Sequence, residues 1–240
     1  MTLLWALWLI VLGPVLASFT TAVAMRACAG GPMLLPRSRC ACCGAALGWA
    51  DLVPLWSYVR LGGRCRSCGG AIPRAAVLGE VSGLVAALLM LATQEGPVAQ
   101  TLGVAWLCLL WGQGLADHLC RRLPHPLTFA LLVAGLGLAA ARGALIEGAL
   151  AALVGAGAFW LIARGYLWLR GREGLGGGDI NLIAGIAAAV GLAALPWVTL
   201  LAALLALAEA ALRPGPDLAT RRFPFGLYLA LAAVPVWLVW

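Results

Sequence analysis

The sequence predicts an all-α polytopic membrane protein of about eight transmembrane helices, with a small cytoplasmic zinc-binding insert after the first. Three observations carry this. Of 240 residues, 63% are hydrophobic and only 10% charged, with a mean hydropathy of +0.99, far from the composition of a soluble domain. Apolar runs recur at close to the 17–25 residues that cross a bilayer as helix, and none shows the alternation of a barrel strand. Finally, one stretch alone, residues 26–74, is long and polar enough to stand outside the membrane; it holds six of the eight cysteines, five of them between residues 40 and 68.

The first run, Leu3 to Met25, has no basic residue before it and exceeds a signal peptide's hydrophobic region, so it reads as a retained span. Seven further spans follow: Ala75 to Ala92, Val98 to Ala116, Leu127 to Ala141, Ala144 to Ala163, Ile180 to Leu195, Pro196 to Ala211 and Phe225 to Trp240. Several hold about 16 residues, roughly 24 Å of helix, which is short against a hydrocarbon core of about 30 Å. The chain thus divides into a first transmembrane helix (1–25), the insert (26–74) and a membrane-embedded core (75–240).

Orientation follows from the basic residues. The chain has no lysine, and its net charge of +7 comes from 16 arginines. On this map Arg142 stands alone on one side; the other fifteen share the opposite side, which the positive-inside rule makes cytoplasmic. Trp5, Trp8, Trp197, Trp237 and Trp240 fall at the outward ends of their spans, where indoles anchor at headgroup level. Arginines that punctuate span ends, without a basic exposed domain carrying stacking aromatics, exclude a nucleic-acid-binding reading.

Within the insert, Cys40-Ala-Cys42-Cys43-Gly44 and Cys65-Arg-Ser-Cys68-Gly69 form two Cys-x-x-Cys knuckles. This spacing puts two thiolates from each knuckle on one tetrahedral Zn2+. Cys40, Cys43, Cys65 and Cys68 are the ligands by spacing, and Cys42 is the extra sulfur. Four cysteines close the coordination sphere, so the zinc is structural.

Two carboxylates carry the chemistry. Asp117 ends the third span, and Asp179 follows Gly176-Gly177-Gly178 at the start of the sixth, so both lie at the arginine-rich face. Acids at membrane depth are costly and mark functional sites. The plainer readings are a solvated loop aspartate at Asp117 and a helix N-cap at Asp179. Glu80 is a third acid near this surface, by default packed or paired with arginine, and His118 and His125 read as surface groups. Two aspartates within hydrogen-bond distance share one proton, which equips them to activate water and polarise a carbonyl.

At these residues the chain resembles the prepilin peptidases of type IV pilus and type II secretion systems, aspartic membrane proteases with a Gly-x-Gly-Asp motif. Ala17-Ser18-Phe19 is similar to the family's Gly-Ser-Phe, Arg37-Ser38-Arg39-Cys40 with the second cysteine pair to its zinc insert, and Phe223-Pro224-Phe225-Gly226 to its Pro-Phe-Gly. The resemblance implies catalytic roles for Asp117 and Asp179, and supporting roles for Gly176, Gly178 and Glu80. It implies removal of the short basic leader from prepilins and pseudopilins at the cytoplasmic face of the bacterial inner membrane. For members carrying the cysteine insert it also implies N-methylation of the new amino terminus with S-adenosylmethionine, although no Rossmann-type glycine motif marks a nucleotide site. Departures are Asn181 for lysine, His125 for Asn or Asp, Thr20 for an aliphatic residue and Ala17 for glycine. The alternative is a transporter or assembly scaffold whose insert docks a partner and whose acids bind ions.

Overall fold

In the computed structural model, residues 3–34, 37–171, 174–213 and 223–240 are described, and among them the chain is helical without a named strand. The helices are α1 (Leu3–Cys28), the short α2 (Trp56–Arg60), α3 (Arg74–Ala92), α4 (Pro97–Cys120), α5 (His125–Ala141), α6 (Leu145–Arg170), α7 (Gly177–Val190), α8 (Leu195–Leu212) and α9 (Phe225–Val239). Five of them, α1, α3, α4, α6 and α8, are long and apolar enough to cross a membrane; α5, α7 and α9 are apolar but shorter. All eight of these apolar helices overlap the eight runs read from the sequence, and five of them reach spanning length. Several ends move: α4 runs past Ala116 to Cys120, α6 runs past Ala163 to Arg170, and the sixth run stops at Val190 and turns through Gly191, which has a φ of 81°, so Leu195 and Pro196 open α8. Proline in a first helical turn gives up an N–H that has no partner there anyway. Arg172, Arg221 and Arg222, used above for orientation, lie outside the described residues.

The chain forms two compact units, residues 1–112 and 113–240, and the division falls within α4. In the first unit, α1 packs along α3. A Cβ added to Gly13 would stand 2.1 Å from the Gly83 carbonyl oxygen, and one added to Gly83 would stand 2.2 Å from that of Gly13, so the two backbones touch. In lipid there is no hydrophobic gain from helix association, and close backbone approach at small residues supplies dispersion contact instead. Polar side chains complete the packing: the Thr20 hydroxyl donates to the carbonyls of Ala17 (3.1 Å) and Cys108 (2.9 Å), and Trp111 Nε1 donates to Thr21 (2.8 Å). Thr20, a departure from the family pattern, thus ties α1 to α4 from a buried position.

In the second unit α7 is central, packed against α5, α6 and α9, and every residue from Leu182 to Ala189 is buried. Glycines again admit it: a Cβ on Gly135 would stand 2.6 Å from the Gly185 carbonyl oxygen, and one on Gly148 2.8 Å from that of Ala188. α8 joins α9 through a hydrogen bond from the Tyr228 hydroxyl to Glu209. Trp8, Trp197 and Trp240 are exposed, as an aromatic belt requires, whereas two other indoles named with them are engaged within the protein. Trp237 is buried with the Arg142 guanidinium 5.1 Å from its ring, and Trp5 donates to Gln100 at 2.8 Å, so both indoles are used inside the protein.

Candidate active site

Asp117 stands in the last turn of α4, which ends when Arg121 enters the left-handed region with a φ of 53° and returns its N–H to the Asp117 carbonyl at 2.9 Å. It is therefore a helical residue, with its side chain buried at 6% exposure, and the solvated-loop reading does not describe it. Its Oδ2 accepts a hydrogen bond of 2.9 Å from the Leu227 N–H, the third residue of α9. The first N–H groups of a helix have no partner within it and carry partial positive charge, so the start of α9 is a natural seat for a carboxylate.

Asp179 is likewise the third residue of its helix, α7, and Gly176 is the N-cap. The Asp179 N–H donates to the Gly176 carbonyl (3.1 Å), while Asp179 Oδ2 accepts from the Gly176 N–H (3.3 Å). Asp179 thus serves the helix start from inside it, not as the N-cap of the plainer reading, and among the described residues only its Oδ2 accepts a hydrogen bond.

The other oxygen shows where the two acids meet. A Cβ placed on Gly226 would stand 3.0 Å from Asp117 Oδ2 and 3.2 Å from Asp179 Oδ1. Both oxygens therefore flank one point, and their separation is at most the sum of those two distances. Within that bound the pair is close enough for one water to bridge the two carboxylates. α4, α7 and α9 each contribute one part: an acid, an acid, and a backbone without side chain between them.

The glycines before Asp179 act through space and not through unusual backbone angles, since none of Gly176, Gly177 and Gly178 has a positive φ. A Cβ on Gly178 would press on Leu123 at 3.0 Å, whereas one on Gly177 would meet nothing within 4 Å. The stretch offers open backbone beside Asp179. Gly226 and the Leu227 N–H are the site groups that residue-type reasoning passed over; the signal was the Phe-Pro-Phe-Gly motif, noted for resemblance but given no role. His118 and His125 are exposed.

Glu80 on α3 belongs to a different construction. Its Oε1 accepts from Ser18 of α1 (3.1 Å) and its Oε2 from the Leu55 N–H of the insert (2.7 Å), so it fastens the insert to two helices through neutral donors and not through an arginine.

The insert carries two copies of one knuckle, 25 positions apart. In the first, Cys40 N–H bonds the Ala45 carbonyl, Gly44 N–H bonds the Cys40 carbonyl, and Arg39 reaches the Gly44 carbonyl at 3.1 Å. In the second, Cys65, Gly70, Gly69 and Arg64 repeat every bond, the last at 3.3 Å. Gly44 and Gly69 both have φ near +70°, a conformation that glycine adopts without steric cost. The Sγ atoms of Cys40, Cys43, Cys65 and Cys68 all lie within 4.8 Å of one another, with Cys40 and Cys68 at 3.9 Å. Zinc–sulfur bonds of about 2.3 Å put tetrahedral sulfurs about 3.8 Å apart, so the four thiols fit the metal and Cys42 is left outside. The backbone N–H groups of Cys43 and Cys42 bring the Cys40 thiol down to about 6. At Cys68 the Gly70 N–H lowers the value, but the neighbouring sulfurs, chiefly Cys43, and desolvation outweigh it and push the thiol up to about 12. One thiolate is ready to receive a metal, and a bound cation would be needed to release the proton of the other.

Residues 11–94 match the bacterial peptidase A24 N-terminal domain, and residues 101–210 match the type IV leader peptidase family. Among curated relatives, each named a prepilin leader peptidase/N-methyltransferase, the one from Burkholderia pseudomallei is 38% identical over 178 residues, covering 71% of this chain and 56% of the relative. The Pseudomonas aeruginosa relative is 36% identical over 83% of this chain and 70% of its own length; the Klebsiella pneumoniae relative is 32% identical over 83% and 91%. The chain thus spans little more than half the length of the Burkholderia relative. No solved structure matches it.

Proposed function

The chain belongs to the type IV leader peptidase family, and from that premise we propose that it is a multi-pass membrane aspartic endopeptidase that cleaves the basic leader from type IV prepilins and pseudopilins. The observation that carries this reading is the convergence of Asp117 Oδ2 and Asp179 Oδ1 on the empty side of Gly226. The names of the relatives support a second activity, N-methylation of the amino terminus that cleavage exposes.

In this reading the ionised carboxylate takes a proton from the attacking water. The protonated partner donates to the scissile carbonyl oxygen, which becomes the hydroxyl of a tetrahedral intermediate. Collapse of that intermediate returns a proton to the leaving amine, and the pair ends with one proton between them, as it began. The Leu227 N–H keeps Asp117 oriented throughout, and Gly176 keeps Asp179 Oδ2 on its own helix, so the reacting oxygens are those beside Gly226. Gly177 leaves room for an extended substrate strand, Gly176 holds Asp179, and Gly178 lets the start of α7 lie against Leu123. The arginine asymmetry supports a cytoplasmic location for the acids and for the insert, whose zinc holds the two knuckles together and fixes Leu55 toward Glu80. Ion binding by a transporter would need oxygen ligands around a cation; here the same oxygens face helix N-termini, which favour anions.

The test is leader cleavage of a prepilin by purified wild type, Asp117→Asn, Asp179→Asn and the double variant. Asparagine keeps size and hydrogen bonding but cannot pass the proton both ways. Each single variant is expected to lose about 10^3-fold or more in kcat while staying folded and zinc-loaded, and the double variant to be no worse, because the pair acts as a unit. Near wild-type processing by either single variant would refute the aspartic mechanism.

A further inference from the structure

The insert is polar by composition, yet its outer surface is not polar throughout. Among the described residues, and Leu34 aside, its exposed large apolar side chains concentrate in one stretch: Trp49 (84% exposed), Leu52, Val53, Trp56 (62%) and Val59 (74%). Apolar side chains grouped on a surface and rimmed by polar ones mark a docking face. The same stretch carries positive charge. Asp51 is the one acid of the insert, against seven arginines, and it is buried between Arg60 and Arg66, whose side chains are 43% and 59% exposed. One carboxylate for two guanidiniums leaves a positive surplus at the edge of the patch, and the insert has no other acid to offset it.

The height of this stretch decides what it docks on. Between its two short helical pieces, Trp49–Asp51 and α2, the Leu55 N–H donates to Glu80, which also accepts from Ser18. Glu80 is the seventh residue of α3, about 9 Å along the helix from its start, and Ser18 lies about 15 Å back from the end of α1. With 19 residues, or roughly 28 Å, α3 crosses a hydrocarbon core of about 30 Å only if its first turn already stands at the core boundary. Leu55 is therefore held beside the spans, at the depth where headgroups meet acyl chains, and not beyond the helix ends.

We propose that residues 49–60 form a membrane-docking surface for anionic lipid, with Trp49, Trp56 and Val59 seated in the interface and Arg60 and Arg66 meeting lipid phosphates. Indoles beside arginines are the chemistry of interfacial segments, which bury their apolar face by about 5–10 Å. The planar guanidinium pairs its donors with two phosphate oxygens. A prepilin leader, itself basic in the reading above, is repelled by this rim. Glu80 then holds the insert from the helix side and lipid holds it from the other. The proposal needs the chain to span a membrane and is independent of the peptidase reading.

The test is photo-crosslinking of the full chain, with prepilin present, in nanodiscs of equal parts phosphatidylcholine and phosphatidylglycerol. The photoreactive residue p-benzoylphenylalanine replaces Trp49, Val59 or, as a control, the exposed Ala41 of the first cysteine knuckle. Zinc content checks that each insert is folded. Positions 49 and 59 are expected to capture phospholipid, with phosphatidylglycerol favoured about fivefold, the effect of one arginine at an anionic surface, and position 41 to capture little. Adducts with prepilin or with a second copy of the chain, in place of lipid at both 49 and 59, would overturn the proposal. Equal capture of the two lipids, or equal capture at position 41, would overturn it as well.

Discussion

Gly226→Ala adds a single methyl group at the point where the two carboxylates converge. Gly226 has no positive φ, so alanine is not strained there, and in the first turn of α9 it gains up to about 1 kcal/mol of helix stability over glycine. The new carbon, however, would stand 3.0 Å from Asp117 Oδ2, 3.2 Å from Asp117 Cγ and 3.2 Å from Asp179 Oδ1. Uncrowded carbon contacts settle at roughly 3.5 Å or beyond, so both acids must withdraw by a few tenths of an ångström. A misplacement of about 1 Å in a catalytic group costs on the order of 100-fold, and a few tenths on both groups corresponds to about tenfold. The expected result is kcat for leader cleavage down about tenfold, KM little changed, and a Tm equal to or above wild type. Gly226→Val, with two more methyl groups, should lose activity altogether. Kinetics on purified protein with a prepilin substrate, beside thermal unfolding of the same samples, give both halves. Full activity in Gly226→Ala would mean that the acids do not flank this point during turnover, and the geometric argument would fall.

Two further outcomes concern the insert and the topology. The purified chain should hold about one Zn2+; Cys40→Ser or Cys65→Ser should lower metal content and expose the insert to protease, because a closed site contributes folding energy, while Cys42→Ser should change neither. Full metal content after all four of Cys40, Cys43, Cys65 and Cys68 become serine would remove the assignment. Single cysteines introduced at Glu95 and Gly143 should react with a membrane-impermeant reagent on intact cells, and one at Gly174 should not; external labelling at Gly174 would overturn the orientation.

The helical architecture was legible because bilayer thickness imposes its own ruler, and the apolar runs could be measured against it. Where the ruler was ambiguous the reading slipped: the long apolar stretch around Leu195 offered Pro196 as a break, yet Gly191 was the better stop because its backbone turns through positive φ. The four-cysteine cluster was legible from spacing alone, since a Cys-x-x-Cys turn dictates where its sulfurs go. The acids were visible as residues but not as a pair. Their proximity depends on how α4, α7 and α9 pack, and that is written in diffuse contacts such as those at Gly135 and Gly148. For the same reason Glu80 was given an arginine partner by default and proved to bind Ser18 and Leu55, groups that no local pattern links to it. Asp51 drew no attention at all, because a single insert aspartate is unremarkable until its side chain is found buried between Arg60 and Arg66.

The hydrogen bond between Asp117 and Leu227 joins positions 110 residues apart. During synthesis, Asp117 is made and inserted long before its donor exists, and Gly226, which separates it from Asp179, arrives at the same late moment. Until α9 docks, neither acid has the surroundings that give the pair its geometry. A ribosome-bound or shortened chain ending before α9 would carry both aspartates and all four clustered cysteines yet lack the point at Gly226 on which the acids converge. On the aspartic-protease reading, cleavage by this chain cannot begin before α9 has docked.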